Sequence, residues 1–502
     1  NVPMVPKHHL PISLDGVEKD DFAMIWGFPG STDRYLTAKG VEFTTEYYFP
    51  PLIDVFGKKL ETWKKHMNED QAVRIKYASQ YAMIANSWKY FIGQRKGVKN
   101  LDVIGTKEKY QKEFMNWVNS DPERKEKYGN VISDIDEQIL QQMGSIKPLI
   151  YASVSGMGGS QIIGFARNYS GLESKLEKLK EEKDKKKKAK AEEKISKMAE
   201  EMISNLDEDY KDYDMATDKD VFAEMTKLYY ENLASDMYPE ILVDLHKKFK
   251  GDFYAIADYV FEESVFGDPK KTEEFLKDPK LKDLQKDPAF IFSKQYMAGL
   301  MKASQSFRQE NPAAAKAERL YMQAMREMEP DRYFYPNANS TMRFTYGQVL
   351  PYSPADAVEY DYVTHLSGVI AKEDPSNDEF IVAPKLKELY ETKDYGPYGT
   401  ECGSMVVCFL TNNDITGGNS GSPVINGKGE LIGIAFDGNW EAMSSDIAFA
   451  PKFQRTIVVD SRYVLFIIDK FAGATRLIDE LTIHKQMPEP ERVEMMEEVP
   501  TE

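Results

Sequence analysis

At 502 residues, with 42% hydrophobic and 12% aromatic content, the chain has material for more than one core, and two or more domains are expected. Its formal net charge of −17 excludes nucleic acid or an anionic membrane as the main partner, because both call for a basic surface. No apolar run of about eighteen residues occurs, so no membrane-spanning helix is expected, and two cysteines with six scattered histidines exclude a metal cluster. No metal or cofactor is expected.

Residues 1–39 carry two strand signals. One is Pro11-Ile12-Ser13-Leu14, and the other is an alternating apolar run from Asp21 that ends in the turn Phe28-Pro29-Gly30. Two strands alone make no stable sheet. Either they pair with the carboxy-terminal region, or the rest of their domain lies upstream. The chain shows no signal-peptide pattern and begins at Asn1 rather than methionine, so this start is not read as a translation start.

From residue 40 to 335 the apolar period becomes helical, clearest at 72–92, 106–119, 199–206, 221–233, 290–308 and 313–328. Asp121-Pro122, Asp268-Pro269, Asp278-Pro279 and Asp287-Pro288 are read as helix starts. An all-helical domain is predicted. Within it the tract 173–194, which contains four consecutive lysines, interleaves acidic with basic residues and reads as a solvated helical arm with a turn near the lysines. No fixed-period repeat marks a solenoid.

Residues 336–484 return to short strands separated by Gly, Pro, Asn and Asp turns and closed by a helix near 463–471, the pattern of a six-stranded antiparallel barrel with excursions. Cys402 and Cys408 fall on one face of an extended segment, where side chains diverge, so no disulfide between them is expected. Residues 485–502, rich in Pro, Glu and Met, are expected to form a disordered acidic tail.

The most informative stretch is Thr416-Gly417-Gly418-Asn419-Ser420-Gly421-Ser422-Pro423, flanked by apolar strand-like runs. A serine on a glycine-rich turn between strands can present its hydroxyl outward, and the glycines let backbone N–H groups converge beside it. An ordinary Gly/Asn/Ser turn is the plainer alternative.

The string from Gly418 to Pro423 resembles the nucleophile loop of chymotrypsin-fold serine peptidases. With Phe436-Asp437-Gly438-Asn439-Trp440 and the 454–466 segment, it is similar to the bacterial dipeptidyl-peptidase 7/11 family, closer to the dipeptidyl-peptidase 7 branch. The likeness implies an α+β multidomain fold. Residues 1–39 would end a first β-barrel, 40–335 would be an all-α insertion capping the cleft, and 336–484 would be the second barrel with the nucleophile. It also implies a serine dipeptidyl-peptidase that releases dipeptides from oligopeptide amino termini, a homodimer in the periplasm or at the cell surface.

Under that resemblance Ser420 is the nucleophile, and the N–H groups of Gly418 and Ser420 form the oxyanion hole. Asp437 and Asn86 hold the substrate's amino terminus. Gly438, where the acid-specific branch carries arginine, points to an apolar second residue. Taken alone, Asp437-Gly438 reads first as a turn, and Asn86 equally as a helix–helix hydrogen-bonding residue. A serine nucleophile needs a base, usually histidine held by a carboxylate. None of His8, His9, His66, His246, His365 and His484 lies in a matching setting, and His365 reads as a strand histidine. The resemblance places the base and its carboxylate upstream of Asn1, so the isolated chain is expected to be inactive. A chymotrypsin-like endopeptidase with a regulatory helical arm, and an inactive homologue serving as a binding module, are the alternatives.

Overall fold

The computed structural model describes residues 6–308 and 311–485, and the expected acidic tail lies outside the described residues apart from its first position. The chain divides into two compact units, Asn1–Tyr35 with Tyr333–Glu502, and Leu36–Arg332.

The first unit contains every strand among the described residues: β1 Ile12–Ser13, β2 Phe22–Gly27, β3 Arg343–Gln348, β4 Tyr352–Ala355, β5 Val358–Tyr360, β6 Val363–His365, β7 Val406–Thr411, β8 Pro423–Ile425, β9 Leu431–Gly438, β10 Thr456–Asp460 and β11 Ile483–His484. Neighbouring strands run β3-β2-β8-β9-β10-β7. Just past β3, Val349 bridges to Thr411 on β7, with Leu350 N–H donating to Leu410 O at 3.1 Å and Asn412 N–H to Gln348 O at 3.1 Å. The sheet thereby closes on itself, and closure removes the open edges a flat sheet would present. β6 flanks β7, and β1 pairs in parallel with β11 and touches β9.

One expectation is corrected here. The stretch 22–27 does not finish a separate first barrel. It pairs with β3 from Phe22–Gln348 to Gly27–Arg343 and with β8 through Met24–Ile425 and Ile25–Val424. The physical reason is its inward face. Ala23 and Ile25 are fully buried among Val349, Phe409, Val424, Ile432, Ala435 and Val458, the apolar filling of this one barrel. The helical unit is therefore inserted between two adjacent strands of the barrel that carries Ser420. A second apolar cluster joins Ile12, Leu366, Met405, Leu465 and Phe466 beneath the helix Ser461–Phe466. That helix is capped by Asp460, which accepts from Arg462 N–H at 2.8 Å and pairs with the Arg462 guanidinium at 2.7 Å.

The second unit is helical throughout its described residues, its longest element Gln71–Asn100. Its core is aromatic, with Tyr77, Phe222, Tyr229, Phe290, Phe292 and Tyr296 all but inaccessible. Three of the four Asp-Pro pairs start helices as expected, with Asp121, Asp268 and Asp287 accepting first-turn N–H groups. Asp278 instead terminates Pro269–Lys277, and the short Leu281–Leu284 helix begins only after Lys280. The charged arm is two helices, Ser170–Glu181 and Lys185–Asp209, and the turn falls just before the lysine run because Asp184 caps the second helix through Lys186 and Lys187 N–H. Its apolar stripe, Ile195, Ala199 and Leu206, is buried.

Candidate active site

Ser420 lies on the loop that leads from β7 into β8, its side chain exposed. The loop is pinned at both ends by backbone bonds. Gly421 N–H donates to Ala435 O at 2.8 Å and Ala435 N–H returns to Ser422 O at 2.9 Å, tying the loop to β9. Upstream, Asn419 N–H donates to Thr416 O and the buried Asn419 side chain accepts from Thr416 N–H at 3.2 Å, closing a small internal ring. Ser422 N–H donates to Asn419 O. The amides of Asn419, Gly421 and Ser422 are thus engaged, while those of Gly418 and Ser420 donate to no group among the described residues. Two uncommitted N–H groups beside an exposed hydroxyl leave donors available for an oxyanion hole.

Gly418 is required twice over. Its φ of +104° is a conformation L side chains avoid, and a Cβ there would lie 2.4 Å from Phe28 O.

The Ser420 hydroxyl donates to Phe436 O at 3.3 Å. Phe436, Asp437 and Gly438 end β9, so the Asp437-Gly438 pair is strand rather than turn, with Asp437 opposite Ile457 on β10. Asp437 is exposed and its carboxylate accepts from Gly438 N–H at 2.7 Å. Ser420, Gly418, Asp437 and Gly438 therefore belong to one connected piece of the barrel. Asn86 lies in the other unit, in the middle of Gln71–Asn100, where it is exposed and its amide enters no hydrogen bond among the described residues, so a helix–helix bond does not explain it. Its neighbour Trp88 donates to Ile53 O at 3.0 Å and packs on the helical core.

No histidine is hydrogen-bonded to Ser420 among the described residues. His9 is bonded to Thr482, His66 to Asp220, His365 to Ser404 at 3.0 Å and His484 to Glu430. His246 stacks on Tyr230, and His8 is exposed beside Leu10 and Trp26. His365, on β6 beside β7, is thus committed to another hydroxyl. Among the described residues no group of three or more His, Cys, Asp or Glu is placed to hold a metal, and no helix is long and apolar enough to cross a membrane. Cys402 and Cys408 are both free, and burial pushes the Cys408 thiol up to about 11.

Sequence reasoning missed three features that shape this site. Asn439 fixes the end of the β9 wall, its side chain donating to Phe453 O at 2.8 Å and accepting from Arg455 N–H at 2.9 Å. Gly30 N–H donates to Gly417 O at 2.7 Å. Arg34 holds Asp414 with a two-pronged ion pair, 2.7 Å on its longer arm. Asn-Trp after a strand was visible as a signal for the first; nothing local marked the other two, whose partners lie hundreds of residues away.

Comparison with known proteins gives a consistent picture. The chain is 41% identical to dipeptidyl-peptidase 7 of Porphyromonas gingivalis over 96% of its own length and 65% of that protein's. It is 37% identical to the Asp/Glu-specific dipeptidyl-peptidase of Flavobacterium psychrophilum, over 96% and 66% respectively. It thus spans less than two thirds of these curated relatives. Among solved structures, Porphyromonas endodontalis DPP11 in complex with the dipeptide Arg-Glu superposes with a TM-score of 0.85 at 31% identity, covering 96% of this chain and 67% of that one. The sequence profile of the Peptidase S46 family matches residues 1–483, and the chain belongs to that family.

Proposed function

We propose that this chain carries the nucleophile and substrate-binding part of a serine dipeptidyl-peptidase that cuts dipeptides from the amino terminus of oligopeptides. The observation that carries the reading is the exposed Ser420 hydroxyl between two undonated amides, Gly418 and Ser420. Ser420 Oγ attacks the carbonyl carbon of the second residue, and the two N–H groups take the charge that builds on its oxygen. The shortened peptide leaves as a free amine, and water then releases the dipeptide from the acyl-serine. The proton acceptor is a group beyond the described residues, and the 502-residue chain by itself is expected to give no turnover. Asp437, exposed at the end of β9, binds the substrate's ammonium by charge.

An apolar second residue is favoured. A Cβ on Gly438 would meet Ala442 Cβ at 2.9 Å, which leaves no room for a cationic side chain at that position. The nearby Arg455 spends its guanidinium on the carbonyls of Leu350, Pro351, Pro451 and Gln454. The relatives named dipeptidyl-peptidase 7 are also the more similar ones, 41% against 37% for the first of the Asp/Glu-specific enzymes. The family likeness further supports a homodimer in the periplasm or at the cell surface, checked by sizing and cell fractionation.

The test is an assay of the full-length gene product on dipeptidyl reporters. Ser420→Ala should remove turnover, and apolar second residues should outpace acidic ones. Retained activity in Ser420→Ala would overturn the serine mechanism, faster acidic substrates would overturn the role of Gly438, and cleavage of amino-blocked peptides would make the enzyme an endopeptidase.

A further inference from the structure

The peptide that supplies the Gly418 N–H is the one that begins at the Gly417 carbonyl. A trans peptide is planar, with its C=O and N–H pointing opposite ways. The Gly30 N–H that holds Gly417 O at 2.7 Å therefore also fixes the Gly418 N–H to point away from Gly30. Glycine on both sides of this exposed peptide gives it little resistance of its own to turning over. A turned peptide would present a carbonyl oxygen to the reacting carbonyl in place of an N–H donor.

Gly30 is in turn held in place. Ser340 N–H donates to Pro29 O at 2.8 Å, Ser31 bridges to Asn339, and Asp33 N–H donates to Asp446 O at 2.8 Å. Four residues after Gly30, Arg34 ties the same segment to the nucleophile loop a second time. Its guanidinium grips the Asp414 carboxylate, its Nε–H donates to Ser445 O at 3.1 Å, and it lies 5.6 Å from the Phe449 ring centre. A bidentate Arg–carboxylate pair restricts both distance and angle, which a single contact does not.

We infer that Gly30 and Arg34 are positioning residues for the oxyanion hole. Gly30 N–H orients the Gly417–Gly418 peptide, and the Arg34–Asp414 pair holds the two segments in register so that the bond persists. The inference rests on the serine-peptidase reading of Ser420. Neither residue has to touch substrate. Their effect is on the charge that develops in the transition state, so it falls on kcat and leaves substrate binding alone.

The experiment uses the full-length gene product with Gly30→Pro, Arg34→Gln, Asp414→Asn and the Arg34→Gln/Asp414→Asn pair, with Ser420→Ala as control. Gly30→Pro deletes the donor and also turns the ring's Cδ toward Gly417 O, with its Cβ 3.0 Å from that same oxygen, so it both removes the bond and pushes the two segments apart. It is expected to lower kcat about 100-fold with KM changed less than about threefold. Affinity for a dipeptidyl boronic acid, which forms a tetrahedral serine adduct, should drop by the same factor while that for the product dipeptide stays put. Arg34→Gln and Asp414→Asn should each lower kcat about tenfold, and the pair no further, because both remove one interaction. Unchanged kcat in Gly30→Pro, or a loss carried by KM and by product affinity, overturns the inference. Should Gly30→Pro fail to fold by thermal melting, Arg34→Gln and Asp414→Asn decide it, and normal kcat in both overturns it. Turnover in Ser420→Ala would instead refute the serine mechanism itself, whereas a dead Ser420→Ala beside full-rate positioning variants refutes only the roles of Gly30 and Arg34.

Discussion

The barrel unit and the helical unit are held together by different means. Around Ser420 the bonds are almost all backbone to backbone, and they join segments far apart in the chain: Gly30 to Gly417, Gly421 to Ala435, Asn412 to Gln348. In the helical unit the organising contacts are side chains at helical spacing and caps a few residues away, such as Asp184 for Lys185–Asp209 and Asp214 for Met215–Asn232. The serine loop sits on the first kind of framework, where the backbone is fixed from several directions. Sequence change is therefore best tolerated on the helices and least tolerated in the loop.

The largest expected effect tests the barrel side of this contrast. Gly418→Val forces a branched side chain into a left-handed conformation against Phe28 O, and should cut kcat by about 10²–10³-fold while costing about 1–3 kcal/mol of barrel stability, read by steady-state kinetics and melting. Next comes the helical core. Phe222 is buried in edge-on contact with Phe261 and Phe292, and Phe222→Ala should cost about 3–5 kcal/mol. Calorimetry should place that loss in the helical unit's transition alone, and a shift of both transitions would break the distinction between the units.

A smaller effect depends on pH. Asp218 is buried and caps the helix Gln161–Asn168 from outside, accepting from Gln161 and Ile162 N–H at 2.6 and 2.8 Å. Burial raises its carboxyl from the ordinary 3.8 to about 6, against the pull of those N–H groups and of Lys59. The folded state thus holds the proton more tightly than the unfolded chain. This contribution is complete below 3.8 and is lost as pH rises through about 6. Relative to Asp218→Asn, the wild-type melting temperature should fall across that window, and parallel curves would refute the assignment. Smallest is Lys197→Ala, which breaks an exposed pair with Glu193 and should change stability by less than about 0.5 kcal/mol.

How much could be read from the residues follows the same division. Helices such as Pro288–Phe307 and Pro312–Met328 were legible because their apolar period, and the Asp-Pro start of the first, are local. The serine loop was legible because its glycines and flanking strands form one short string. The membership of Phe22–Gly27 in the serine's own barrel was not, since an alternating run says which face is buried but not which partner buries it. Asp278 misled because Asp-Pro suits a helix end followed by a turn as well as a helix start. Gly30 and Arg34 carry no motif, and their significance arises only when the chain brings Gly417 and Asp414 to them.

The insertion of the helical unit between β2 and β3 has a consequence for assembly. Gly30 and Ser340, 310 positions apart, are hydrogen-bonded neighbours, so the first hairpin of the barrel cannot zip up as synthesis proceeds. Closing so long a loop is entropically costly and slow, while the intervening helices are rich in local contacts and form early. The helices are then folded before the strand that cradles the serine loop finds its mate, and the framework of that loop is among the last parts of the chain to mature.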